Sequence, residues 1–387
     1  MITRDIIREL AEFQSPQGDA ITFYYQPSTP QDKSHRGEAI QIKDLVKDAM
    51  HRAERSGKNG SVKADLQRIL EISDRLHGNS GKAKAVFACG SQGFWREVDL
   101  PARLGSTRLH MNSKFNVSAL AGLTESLEKV CICLADRSKA RFFEVQMDQI
   151  TEQEGFVDEL SRRGRSDGFA GFDAGHAERH ENNEAMNHFK RIAETLMDKY
   201  GNGSCERLII GCRDESWPGL EKQLHPYVKQ RLIGRFVVDP AAASPDDVRQ
   251  HAKRILEDHN AKERDELIRE VLDEARANNN GAIGLKRTLR ALEQGEVQEL
   301  LIGDGFTADG VECTNCGHLD MRMVENCAVC GQKTREVHDF LDVLMERALR
   351  LNVDVRRIPP NPEFQKAGNI GALLRFRSER SVGEKLA

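Results

Sequence analysis

No apolar run in this 387-residue chain is long enough to cross a bilayer. The longest, such as "VCICLA", fall far short of the roughly 20 residues a spanning helix needs. Nor does the start, "MITRDIIREL", resemble a secretory leader, since it carries charge throughout. Strong net charge is likewise absent: 57 basic residues face 61 acidic ones, for a formal −4. That near balance excludes a domain that is basic overall, the usual mark of a nucleic-acid binder, so any anion-binding surface must be local. Residues 1–125, 126–280 and 281–387 carry +3, −6 and −1. There is no GxxxxGK[ST] phosphate loop, no HExxH pair, no internal repeat and no low-complexity tract. These absences predict a soluble protein of a reducing compartment, the cytoplasm.

What is present begins with nine cysteines in two groups. Cys89, Cys131, Cys133, Cys205 and Cys212 lie in or beside apolar, strand-like runs and read as buried thiols. The other four make "CTNCGHLDMRMVENCAVCGQK": Cys313-x-x-Cys316 and Cys327-x-x-Cys330, each pair followed by glycine. Two such knuckles offer four thiolates in a tetrahedron, the set Zn²⁺ takes in closed structural sites. Two separate redox dithiols are the competing reading. Four protein ligands leave no open position for a catalytic water, so a metal here is structural.

A second feature is "SRRGRSDGFAGFDAGHAERH", residues 161–180. Arg162, Arg163 and Arg165 cluster at its start, and Gly164, Gly168, Gly171 and Gly175 space it out. It offers only Phe169 and Phe172 for burial. His176 and His180 follow at helical spacing, with Arg179 between them and His188 two turns on. The segment is either a disordered connection or a flexible cationic finger built to reach something anionic. Its place between a β-meander and a helix favours the finger, because long irregular segments inside a domain are more often functional. A metal held by His176, His180 and His188 is conceivable, but solvated or RNA-contacting histidines are the plainer reading.

Along the chain, "DIIRELAEF" is amphipathic, "AITFYY" reads as a strand, and "AIQIKDLVKDAMHRA" carries a helical stripe at Ile42, Leu45, Val46 and Met50. "KVCICLADRSKARFFEV" turns at Asp136–Lys139 as a hairpin. "NEAMNHFKRIAETLMDKY" is a helix and "ERLIIGC" a buried strand. Ser244–Pro245–Asp246–Asp247 is a strong helix start, and that helix runs to about Ala277. Beyond "ARANNNGAIG" the chain alternates helix, strand, cysteine insert, helix and strand. The expectation is α/β, in three mixed domains: 1–125, 126–279 with the finger at 161–180, and 280–387 with the knuckles at 313–330.

In order of parts the whole chain resembles the archaeal and eukaryotic class-one release factors and Pelota, in the bacterial branch that includes the ribosome hibernation factor Balon. "GLKRTLRALEQGEVQELLI" and "GNIGALLRF" resemble the opening and closing parts of that family's third domain, a fold shared with a kink-turn-binding ribosomal protein. The cysteine insert sits between them, where relatives also carry a minidomain, here as a zinc ribbon. "KVCICLADRSKARFFEV" resembles the first hairpin of the RNase H-like middle domain, and the first unit takes the place of the release-factor N-domain. The finger occupies the position of the catalytic loop. Release factors carry Gly-Gly-Gln there, yet no glutamine lies between Gln153 and Gln223 and no two finger glycines are adjacent. "QIKD" at Gln41–Asp44 matches the stop-codon-reading Asn-Ile-Lys-Ser motif only at Ile42 and Lys43.

The resemblance therefore implies a non-hydrolytic factor that fills the vacant ribosomal A site in hibernation or stress, with no catalytic residue of its own. Arg162, Arg163, Arg165, Gly168, Gly171, Gly175, His176, Arg179, His180 and Lys43 would meet ribosomal RNA. Cys313, Cys316, Cys327 and Cys330 would hold structural zinc, and elongation factor Tu is an implied partner. The alternatives are a rescue factor, peptidyl-tRNA hydrolase or nuclease working through the finger, and an adaptor acting away from the ribosome.

Overall fold

The computed structural model describes residues 2–27, 36–55, 57, 60–76, 83–100, 106–123, 127–147, 149–158, 173–201, 204–337 and 340–378. The side chains of 73–76 and 173–178 lie outside that description. So do Arg162, Arg163, Arg165, Gly168 and Gly171 of the finger.

The N-terminal segment runs α1 (Arg4–Glu12), β1 (Ala20–Tyr25), α2 (Arg36–Arg55), α3 (Ser61–Leu76), β2 (Ala83–Cys89), β3 (Phe94–Leu100), β4 (Arg108–Asn112) and α4 (Ser118–Ala121). Its strands form an antiparallel sheet of order β3-β2-β1-β4. Both faces of β1 are covered, which is why "AITFYY" shows no polar alternation. Ile21, Phe23 and Tyr25 share a core with Ile42, Val46, Val62 and Leu66 of α2 and α3. Tyr24 lies edge-on to Phe87 at 6.0 Å, and Phe87 to Phe115 at 5.5 Å. Ala49 and Ala53 complete the buried row of α2, while Leu45 and Met50 pack at its margin.

The middle segment follows as β5 (Val130–Ala135), β6 (Lys139–Gln146), β7 (Gln149–Val157), α5 (Asp173–Tyr200), β8 (Arg207–Cys212), α6 (Trp217–Gln223), α7 (Pro226–Lys229), β9 (Leu232–Phe236) and α8 (Pro245–Arg276). Its sheet has the order β7-β6-β5-β8-β9, with an antiparallel meander β5-β6-β7 and parallel β5-β8 and β8-β9 pairs. The period-two geometry of β5 sends Cys131 and Cys133 to the core shared with α5, and Ile132 and Leu134 to the core shared with α8. At the start of α8, Asp247 N–H donates to Ser244 Oγ and Ser244 N–H donates to Asp247 Oδ2, both at 3.2 Å. This reciprocal cap satisfies two otherwise orphaned donors.

One expectation fails in this sheet. Cys131 and Cys205 are joined in a disulfide, Cα to Cα 6.2 Å, not held as separate buried thiols. Cys89, Cys133 and Cys212 are free and buried.

The C-terminal segment contains β10 (Gly281–Ile283), α9 (Leu285–Glu293), β11 (Val297–Gly303), β12 (Gly310–Cys313), β13 (Leu319–Asp320), β14 (Thr334–Val337), α10 (Phe340–Arg350), β15 (Asp354–Ile358), α11 (Pro362–Lys366) and β16 (Ile370–Leu374). A four-stranded sheet of order β10-β16-β11-β15 is covered on both faces. Leu300, Ile302 and Val355 meet Leu289, Leu292, Leu344 and Ala348 on one side. Leu301 and Ile358 meet Ile268, Val271, Leu272 and Phe364 on the other. A separate three-stranded sheet, β13-β12-β14, carries the cysteine knuckles.

By contacts the chain divides into two compact units, Glu128–Arg264 and the combined Met1–Leu127 and Asp265–Ala387. The second division falls inside α8. Within the combined unit, Arg350 Nε donates to the Ala11 carbonyl at 2.7 Å, Arg8 pairs with Asn352, and Asn116 donates to Asp342 at 3.3 Å. The same unit encloses a cavity of about 240 Å³ whose lining includes Lys114, Arg335, Glu312, Asp342 and Glu346. Glu312 Oε2 accepts from Arg335 at 2.5 Å, and its Oε1 lies 3.7 Å from Lys114. Burial pushes the Glu346 carboxyl up to about 7, with Asp342 and Glu312 adding to the rise and Arg350 and Lys114 opposing it. Among the described residues no helix is long and apolar enough to cross a membrane.

Candidate functional site

The finger leaves the middle sheet at the end of β7 and returns as α5. Its exit is built from three residues that sequence reading treated separately or passed over. Asp158, one residue past β7, donates its backbone N–H to Ser138 O at 2.7 Å. Its carboxylate takes His188 Nδ1 on one oxygen at 2.6 Å and pairs with Arg191 through the other. Both partners sit on α5, three residues apart and therefore on neighbouring rows of the same helix. The Arg191 guanidinium lies 4.1 Å from the Phe156 ring centre, and the His188 ring meets Phe156 edge-on at 5.3 Å. Asp158 thus ties the two ends of the finger together where it springs from the fold.

His188 is fully buried, and its Nε2 has no hydrogen-bond partner among the described residues. It is neither solvated nor placed to touch RNA, contrary to the plainer sequence reading. The shared face expected of the three histidines also fails. His180 is two-thirds exposed and pairs with Glu184 at 3.1 Å. The side chain of His176 lies outside the described residues.

The second correction concerns where the finger ends. Sequence patterning starts the helix near Asn183, but α5 begins at Asp173. Gly175, His176, Arg179 and His180 are therefore helical, and Arg179 and His180 are exposed. The buried stripe of α5 starts only at Ala185, continuing through Phe189, Ile192, Ala193 and Leu196. The turns before it have no buried side chain among those described. Arg137 braces this polar stretch, donating to Asn182 at 2.7 Å and lying 3.6 Å from Glu181.

The four cysteines form the other site. Their sulfurs lie within 4.8 Å of one another. Cys313 and Cys330 are 3.4 Å apart and Cys316 and Cys327 3.7 Å, so sulfurs of the two knuckles meet closely. A tetrahedron of about 2.3 Å metal–sulfur bonds has edges of roughly 3.8 Å. Gly317 and Gly331 take φ of +70° and +71°, the left-handed turn that closes each knuckle. Backbone N–H groups of Asn315 and Cys316 point at Cys313 Sγ, and that of Val329 at Cys327 Sγ. The Cys316 N–H lowers the Cys313 thiol, and the Gln332 N–H is the main cause lowering Cys330 to about 6. Sulfurs converging from both knuckles within 4.8 Å fit a four-coordinate metal ion and not two independent redox pairs. Outside the cluster, His318 reaches Glu293 of α9 at 3.0 Å, and Arg347 of α10 donates to the same carboxylate at 3.3 Å. Lys43 stands exposed on α2 beside the buried Ile42.

Residues 116–257 match the family model for bacterial archaeo-eukaryotic release factor family 10. The match takes in β5 through the first part of α8, finger and clamp included. No curated protein matches the chain. Among solved structures it is similar to the archaeal termination factor aRF1, at 14% identity over 97% of this chain and 99% of that one, TM-score 0.28. Archaeoglobus fulgidus Pelota is 13% identical over 97% and 93%, TM-score 0.36. A ribosome-bound archaeal Pelota with ABCE1 is 14% identical over 97% and 94%, TM-score 0.41. Within the matched residues lies the clamp of Asp158, His188 and Arg191.

Proposed function

We propose that this protein is a ribosome-binding translation factor that occupies the vacant A site without hydrolysing peptidyl-tRNA, as a hibernation or stress factor. The reading rests on one conjunction: a release-factor domain across 116–257 whose finger holds three clustered arginines and no glutamine. In that role the finger would approach the peptidyl transferase centre. Arg162, Arg163 and Arg165 would pair with RNA phosphates, each contact releasing counterions, and Gly168 and Gly171 would admit close backbone approach. Arg179 and His180, exposed on the first turns of α5, would extend the contact. Lys43 on α2 would face the decoding centre from the N-terminal of three domains, and elongation factor Tu would accompany delivery.

The four cysteines would hold Zn²⁺ as a structural ion, with no position left for substrate. Metal analysis of protein purified without added zinc should return one ion per chain. The experiment that tests the function mixes purified protein with stalled ribosome–nascent chain complexes and with vacant ribosomes. Stable association with vacant ribosomes, and neither released peptide nor cut tRNA from stalled ones, is the expected result. Peptide release or tRNA cleavage would replace the proposal with the enzyme reading.

A further inference from the structure

The turn between α6 and α7 displays an aromatic ledge that takes no part in the Asp158 clamp or the cysteine site. His225 caps α7, its Nδ1 accepting the Tyr227 N–H at 3.3 Å, and the two rings stack with centres 5.1 Å apart and 26° between planes. Tyr227 is 60% exposed. Its flanks are anchored, because Leu224 and Val228 are buried in the core shared with α5 and β8. Pro226, first residue of α7, stiffens the link between the rings. A planar π-face is therefore held out to solvent at little further entropic cost.

Charge around it departs from the rest of the segment. Residues 217–235 hold four basic side chains and one acidic one, inside a stretch (126–280) that is −6 overall. Arg231 is bound to the Tyr200 carbonyl and Arg235 to Asp214, while Lys222 and Lys229 are exposed. Among the described residues the other exposed large apolar side chains of this unit, Val157 and Val237, lie outside α6 and α7 and the turn between them. An isolated aromatic face with lysines beside it suits an unpaired base and its phosphates better than an apolar protein surface.

We infer that Tyr227, backed by His225, is a stacking platform for an unpaired nucleotide of ribosomal RNA, with Lys222 and Lys229 drawing the backbone toward it. This rests on the ribosome-binding function proposed above and adds a contact separate from the finger.

The test titrates wild type, Tyr227→Phe and Tyr227→Ala against vacant ribosomes, and in parallel against a fluorescent ten-nucleotide oligoadenylate. Thermal melting checks that the exposed substitution leaves the fold intact. Tyr227→Ala should weaken both affinities about tenfold, and Tyr227→Phe, which keeps the ring, by no more than about twofold. Lys222→Ala with Lys229→Ala should weaken binding and flatten its salt dependence. Wild-type affinity of Tyr227→Ala for vacant ribosomes would overturn the inference. If wild type itself ignores ribosomes, the proposed function fails and the oligoadenylate arm decides the platform: loss on Tyr227→Ala supports it, and no loss overturns it.

Discussion

His188 shows how much a single side chain's setting decides. Read as one of three spaced histidines it looks like a ligand, but its ring is buried beside Phe156 and committed to Asp158. Asp158→Ala would leave a buried His188 Nδ1 without its acceptor, a loss of roughly 1–3 kcal/mol. A denaturant midpoint lowered accordingly is the expected result, and an unchanged midpoint would mean the clamp holds nothing. The finger arginines act differently, since no fold depends on them in this account. Replacing Arg162, Arg163 and Arg165 together by alanine should leave the melting temperature unchanged. It should lower the slope of log affinity for ribosomes against log salt by about 3. The signals that sequence offered at this scale were types and spacings, so the cysteine quartet was legible. The Asp158–His188–Arg191 clamp was not, because its members stand 30 and 33 residues apart in sequence and meet only through the sheet.

At the scale of elements, sequence patterning served where burial is strong. "AITFYY", "VCICLA" and the "RLIIGC" of "ERLIIGC" are strands because covered sheets demand continuous apolar runs, and all three are buried throughout. The start of α5 was not legible for the converse reason. Residues 173–184 have no apolar stripe to betray a helix, and they continue one whose later turns are held by Phe189, Ile192 and Leu196. The disulfide was hidden too, since nothing in the spacing of Cys131 and Cys205 brings them together before β5 and β8 pair. For the cysteine hairpin, Cys316→Ser should drop bound metal from one ion per chain toward none. Hydrogen exchange should then rise in β12–β14, where Thr314 and Thr334 N–H bonds to Lys333 and Glu325 close the knuckles. Full retention of metal by Cys316→Ser would exclude a four-thiolate site.

At the scale of the whole molecule, the two ends of the chain group together. Residues 1–127 and 265–387 pack as one unit through contacts such as Arg350 to Ala11 and Asn116 to Asp342, more than 200 residues apart in sequence. The charged cavity in that unit makes its stability sensitive to pH. Glu346 titrates near 7 when folded, against an ordinary value of 4.5, so between these values the native state holds a proton the unfolded state has lost. Stability should therefore fall as pH rises from about 4.5 to 7 and level off above it, by up to ~3 kcal/mol from this group. Glu346→Gln should remove that dependence and melt higher than wild type at pH 8; an unaltered pH profile would assign the effect elsewhere.

The proposal to be tested is that the protein fills an empty tRNA site and does not cut what lies there. The most direct measurement is co-sedimentation with ribosomes at low salt, with the A site either empty or occupied by tRNA. The account predicts stoichiometric binding to empty ribosomes, lost when tRNA occupies the A site. Equal binding to both, or to neither, would contradict it.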